Sequence, residues 1–163
     1  MNSRFLLYTF TLGCCLGCSQ DDSIPAYTFK LQNLQGTLEG KSWVFQTGSA
    51  KAMEGMLEIV LYDLETVVPN ACLPLGSIKS IIFTIPNQEG LYKLANLSSE
   101  SPVTVTYFSV ERQLNFITAD GVVELSHLTE TGIIGRMDLN WPVYENEFEG
   151  GNINGSFVIP ICQ

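Results

Sequence analysis

A period of two in the apolar residues is the feature that most narrows what this chain can fold into. Ile133, Gly135, Met137, Leu139 and Trp141 alternate with Ile134, Arg136, Asp138 and Asn140. Successive side chains of a β-strand point to opposite faces, so this spacing puts the apolar set on one face and a mainly polar set on the other. Ile153, Gly155, Phe157, Ile159 and Ile161 repeat the pattern, as do Leu57, Ile59 and Leu61 around Glu58. Strand-like runs also cover Tyr27 to Leu31, Lys41 to Gln46, Ser80 to Ile85, Gly90 to Leu94, Val103 to Phe108, Gln113 to Thr118 and Val122 to Leu128. About ten such strands suffice for a single all-β antiparallel domain, a β-sandwich or a flattened barrel.

The connections point the same way. Asp120-Gly121, set between two alternating runs, predicts a two-residue hairpin, because a type I′ turn needs positive φ at both central positions. Ser109 to Arg112 and Thr129 to Gly132 predict two more short turns, so Val103 to Trp141 reads as a meander of consecutive hairpins. Between Ser49 and Gly55 a helical turn fits, since Ala50, Lys51, Ala52, Met53 and Glu54 tolerate helix. No stretch after residue 25 sustains an apolar helical stripe, which argues against alternating strands and helices. With 163 residues, 45% of them hydrophobic and 15% charged, the chain can build one packed core and does not have the composition of a disordered one.

The first residues carry an address. Arg4 is a short positive segment, Phe5 to Leu12 an apolar run too short to span a bilayer, and Gly13 to Gly17 a stretch of small residues before a cysteine. Cys15-Leu16-Gly17-Cys18 resembles the lipobox of bacterial lipoproteins, with Thr11-Leu12-Gly13-Cys14 as a competing register. The resemblance implies a leader over 1–17, acylation of Cys18 and a flexible polar tether over 18–25, ahead of one all-β domain over 26–163. The polar run Ser19-Gln20-Asp21-Asp22-Ser23 favours Cys18 as the anchor. In that family several acyl chains share the cysteine, enough for stable anchoring. Asp21-Asp22 looks like the signal that sends Bacteroidetes lipoproteins to the outer face of the outer membrane, and Asp22-Ser23-Ile24 resembles an O-glycosylation acceptor of that phylum.

Of the five cysteines, only Cys72 and Cys162 remain once the leader is removed and Cys18 carries lipid. In an oxidising compartment they can form one disulfide; the alternative is two separate buried thiols.

Gln35 to Trp43, with its Gly36, Gly40, Lys41 and Trp43, and Ile153-Asn154-Gly155-Ser156-Phe157 near the end resemble small uncharacterised lipoproteins of Bacteroidetes. That resemblance implies a β-sandwich or lipocalin-like barrel on the outer membrane, periplasmic or facing outward, and carries over no catalytic residue. Gly40 and Trp43 stand one residue further apart than the lipocalin signature.

The formal net charge is −9, and removing 1–17 takes away Arg4, leaving seven basic residues against seventeen acidic ones. Such a balance repels phosphate backbones and anionic headgroups, so nucleic acid is excluded as a partner and membrane contact has to come through lipid.

Constellations that carry chemistry are sparse. His127 is the only histidine, and its neighbour Ser126 points to the other face of an alternating strand, so no catalytic triad forms there. Glu58, Glu111, Glu124 and Asp138 occupy positions that look outward, where carboxylates normally serve solubility. Glu145, Glu147 and Glu149 with Gly150 superficially match a calcium loop, although glutamates replace the shorter ligands and a solvated loop is the competing reading. Trp141, Tyr144 and Phe148 flank that loop and could stack on a ligand; the parity of Trp141 with Met137 and Leu139 favours the core for it, leaving Tyr144 and Phe148 as the exposed pair. No cofactor motif is present. The expectation is a non-enzymatic lipoprotein that binds a small ligand or an envelope protein through loops at one end of its sheets. The alternatives are a lipocalin-like carrier and a carboxylate-based hydrolase.

Overall fold

The structure, a computed structural model, describes residues 27–64, 72, 78–95, 103–145 and 147–162. The leader 1–17, Cys18 and the tether 18–25 lie outside these residues, as does most of the loop from Pro69 to Pro74. Eleven strands follow one another: β1 (Gln35–Leu38), β2 (Lys41–Val44), β3 (Thr47–Met53), β4 (Met56–Tyr62), β5 (Ser80–Pro86), β6 (Gly90–Lys93), β7 (Val105–Ser109), β8 (Leu114–Thr118), β9 (Asp120–Leu128), β10 (Gly132–Trp141) and β11 (Gly151–Cys162). Among the described residues there is no helix.

The strands form one mixed sheet in the order β6-β9-β10-β11-β3-β4-β5-β7-β8, with β1 and β2 branching from β11. The sheet curls until its two halves face each other. Phe157 of β11 meets Phe83 of β5 edge-on at 6.5 Å, and Trp141 of β10 meets Tyr107 of β7 at the same separation. Between the halves lies a continuous core that includes Leu34, Trp43, Leu57, Ile59, Leu61, Ile81, Ile85, Val105, Met137, Leu139 and Ile153, each fully buried. Alternation along β4, β7 and β10 produces it, as the period of two requires.

β11 is the seam. One edge pairs with β10 along ten residues, and the other is shared by β1, paired from Gly151 to Asn154, and β3, which runs parallel at Ile161↔Ala50 and Cys162↔Lys51. The disulfide Cys72–Cys162, with Cα atoms 5.5 Å apart, ties the end of this strand to the chain between β4 and β5.

Three expectations are corrected. Residues 49–55 are not helical: β3 pairs with β4 over its whole length, from Thr47↔Tyr62 to Met53↔Met56, and this long-range ladder overrides a weak local preference. Tyr27 to Leu31 is not a strand, because its backbone is held by a side chain instead of a ladder, with Lys30 N–H donating to Asn154 Oδ1 at 2.8 Å. Asp120-Gly121 is not a hairpin turn. Both residues lie in β9, which pairs with β6 and β10 while β8 pairs with β7, so only Ala119 separates strands on opposite halves and the meander breaks there. Gly121 is needed for close approach, since a Cβ there would collide with the Asp138 carbonyl. The strand is also less regular at Ser126 and His127 than strict alternation implies: a bulge opposite Ile134 and Gly135 interrupts the ladder there, and both residues are exposed.

Candidate functional site

The most unusual local structure is at the tip of the β1–β2 hairpin. Leu38 pairs with Lys41, so Glu39 and Gly40 make a two-residue turn, with φ of 54° and 69°. Gly40 takes such a conformation freely; for Glu39 it costs about 1–2 kcal/mol. Non-glycine residues held there are often held by something else. Here the side chain is only 10% exposed, and its carboxylate accepts hydrogen bonds from three side chains. Tyr107 Oη donates at 2.8 Å, Ser109 Oγ lies 2.9 and 3.0 Å from the two oxygens, and Arg112 Nε donates at 3.0 Å. Alternation along β7 brings Tyr107 and Ser109 to the same inner face, and the turn after β7 supplies Arg112. Burial first, and then the Glu39 carboxylate that it faces, push the Tyr107 phenol far above its ordinary value, so it stays a donor.

Around this buried carboxylate the ends of β1, β2, β4, β5 and β7 enclose a cleft of about 380 Å³. Its walls are Leu64, Ile78 and Val110, with Glu39, Tyr107 and Ser109 among the polar groups. Two ion pairs flank it. Lys79 Nζ lies 3.0 Å from Asp63 Oδ2, both side chains being largely covered, and Lys41 Nζ reaches both oxygens of Glu111 at 2.5 and 2.6 Å. The Lys41 ammonium, through its hydrogen bond and then its charge, holds the Glu111 carboxyl below the usual carboxylate range. The site can thus present an apolar wall, a fixed acceptor and two paired charges to a small molecule; its size is within the range of ligand pockets, towards the lower end.

The residues singled out from the sequence go elsewhere. Trp141 is buried as expected, but Phe148 is buried too, at 2% exposure, against the expectation of an exposed ring. Phe148 stacks on Phe116 at 4.3 Å, Trp141 Nε1 donates to the Phe116 carbonyl at 3.1 Å, and Tyr144 Oη donates to the Ile117 carbonyl at 3.0 Å. Together they staple β8 to the opposite half of the sheet, where no backbone ladder joins them. Only Tyr144 remains partly exposed, beside a smaller hollow formed with Leu114, Ile117 and Glu147. Among the described residues no three His, Cys, Asp or Glu side chains come together as metal ligands, Glu145, Glu147 and Glu149 included. His127 is exposed 3.6 Å from Glu89, and the Ser126 hydroxyl donates to the Ile134 carbonyl instead. Glu124 pairs with Arg136 at 2.6 Å.

Glu39, Tyr107, Ser109 and Arg112 escaped the sequence reading, yet two signals for them are present. Glu39-Gly40 joins two strands as an acid-glycine dipeptide, and Ser109 shares the apolar parity of Val105 and Tyr107, an inward polar position that needs a partner. No protein-family model, curated protein or solved structure matches the chain.

Proposed function

We propose that this chain is a lipid-anchored protein of the cell envelope, of the kind its leader and its two glycine-marked segments resemble in Bacteroidetes. In this reading Cys18 carries the lipid, the protein sits on the outer membrane, and the all-β domain works as a non-enzymatic binding module. The recognition end is the cleft at the tips of β1–β2 and β7–β8, and the ligand is a small molecule.

The observation that carries the binding part is the buried Glu39 carboxylate, held by three side chains beside a cleft with apolar walls. A side chain locked by so much hydrogen bonding is what a pre-organised binding end requires. A carrier with an open barrel receives less support, since Trp43, Trp141, Tyr107, Phe148 and Phe157 fill the interior. A carboxylate hydrolase receives none from Glu124, which is ion-paired, or from Glu111, which is exposed and ion-paired.

Two measurements test the two parts. Intact mass of the mature protein should show acyl chains on an N-terminal Cys18; an unmodified terminus elsewhere would remove the anchor. Ligand-observed NMR against small-molecule mixtures should give hits with the native protein that disappear in Val110→Trp, which fills the cleft. Hits that persist in that variant would move recognition away from the cleft.

A further inference from the structure

The proposed cleft also narrows the chemistry of what it takes. Three of the eight basic residues of this acidic chain gather at this end of the fold: Lys41, Lys79 and Arg112. Each meets a carboxylate, and the three pairs differ in how firmly they are held. Arg112 holds Glu39, which is 10% exposed and also bound by Tyr107 and Ser109. Lys79 and Asp63 have side chains only 25% and 17% exposed. Lys41 and Glu111 are 56% and 68% exposed. An exposed pair of this kind gains little, because water solvates either partner well once they part. The exchangeable charges of the cleft are therefore one ammonium and one carboxylate, side by side at its mouth and next to Val110.

A ligand with a single charge would take one member of that pair and send the other back to water. It would also meet charges that each already have a partner, and would leave one of them unpaired. A ligand bearing both an ammonium and a carboxylate can insert between Lys41 and Glu111, satisfy both, and leave the charge of the cleft unchanged. The walls formed by Leu64, Ile78 and Val110 then call for an aliphatic body projecting from those two groups.

We propose that the cleft binds a small zwitterion with an aliphatic body, such as a free amino acid or a very short peptide, its carboxylate on Lys41 and its ammonium on Glu111. This rests on the cleft being the recognition end and deepens that reading.

Three probes of the same body separate the charges: leucine, N-acetylleucine, which is only an anion, and leucinamide, which is only a cation. Isothermal titration or chemical-shift titration with the oxidised protein should show leucine binding at least tenfold more tightly than either. Lys41→Met should bring leucine down to the level of leucinamide, and Glu111→Gln down to that of N-acetylleucine. Both side chains are exposed, so either variant should fold. N-acetylleucine binding as well as leucine would make this an anion site, and leucinamide doing so would make it a cation site; either result overturns the zwitterion while the cleft keeps its role. No saturable binding of any of the three at millimolar concentration also overturns it, and leaves the cleft to the Val110→Trp test.

Discussion

Two turns of this protein have the same sequence and nearly the same backbone. Glu39-Gly40 joins β1 to β2 and Glu54-Gly55 joins β3 to β4, with both glutamates at positive φ, 54° and 40°, and both glycines following suit at 69° and 83°. Their surroundings differ completely. Glu54 stands in solvent, and a Cβ on Gly55 would meet nothing within 4 Å. Glu39 is wedged between Tyr107, Ser109 and Arg112, and a Cβ on Gly40 would press on Glu149. The dipeptide sets the bend in both cases, and only one of the two carboxylates has anything further to hold. Turn formation therefore does not explain why a glutamate stands at 39.

The strongest test of that contrast is removal of each carboxylate. Glu39→Ala leaves the Tyr107 and Ser109 hydroxyls and Arg112 without their acceptor, and should cost about 3 kcal/mol in denaturant unfolding. Glu54→Ala should stay within about 0.5 kcal/mol of the native protein. Equal losses would mean that both turns matter only as turns.

Tyr107→Phe removes one of the donors and should cost about 1–2 kcal/mol. It should also change the pH profile in a defined direction. The folded-state pKa of Tyr107 is raised, so its contribution is complete below the unfolded phenol value of about 10 and is lost as pH rises through and beyond it. Unfolding followed from pH 8 to pH 11 should show the native protein weakening more steeply than Tyr107→Phe.

Replacing each glutamate by glycine sharpens the comparison on a finer scale. Glu54→Gly relieves a left-handed side chain and should leave stability unchanged or raise it by less than about 1 kcal/mol, after the entropy that glycine adds to the unfolded chain. Glu39→Gly gains the same relief and loses the carboxylate, so it should still be destabilised. The smallest effect belongs to the Lys41–Glu111 pair: breaking it with Lys41→Met should shift the unfolding midpoint barely beyond resolution, with the shift vanishing in high salt.

The sequence made the class of fold legible because burial of one face imposes alternation, and β4, β7 and β10 have little else to obey. It misled where a residue serves a distant partner. Ala50 to Met53 carry no strand signal of their own and are strand only because β4 lies alongside. Asp120-Gly121 has the composition of a turn, but its glycine serves the close approach of β10. Tyr144, Trp141 and Phe148 were visible as an aromatic cluster, yet the polar ends of Trp141 and Tyr144 reach β8 carbonyls, which no local pattern encodes. The Glu39 cluster spans more than sixty residues of chain, from the first hairpin to the turn after β7. Only its individual oddities, an acid at a turn and a serine of inward parity, could have been read beforehand.

β11 holds partners on both of its edges and is made after all of them. While the ribosome has yet to supply residues 151–162, β10 lacks its neighbour and β1 and β3 have nothing to join them. Folding is therefore forced to its final step only when synthesis has passed Cys162, whose thiol must then find Cys72. A chain of this design stays open until its C-terminal strand is in place, and the bridge to Cys72 then fastens that strand to the chain between β4 and β5.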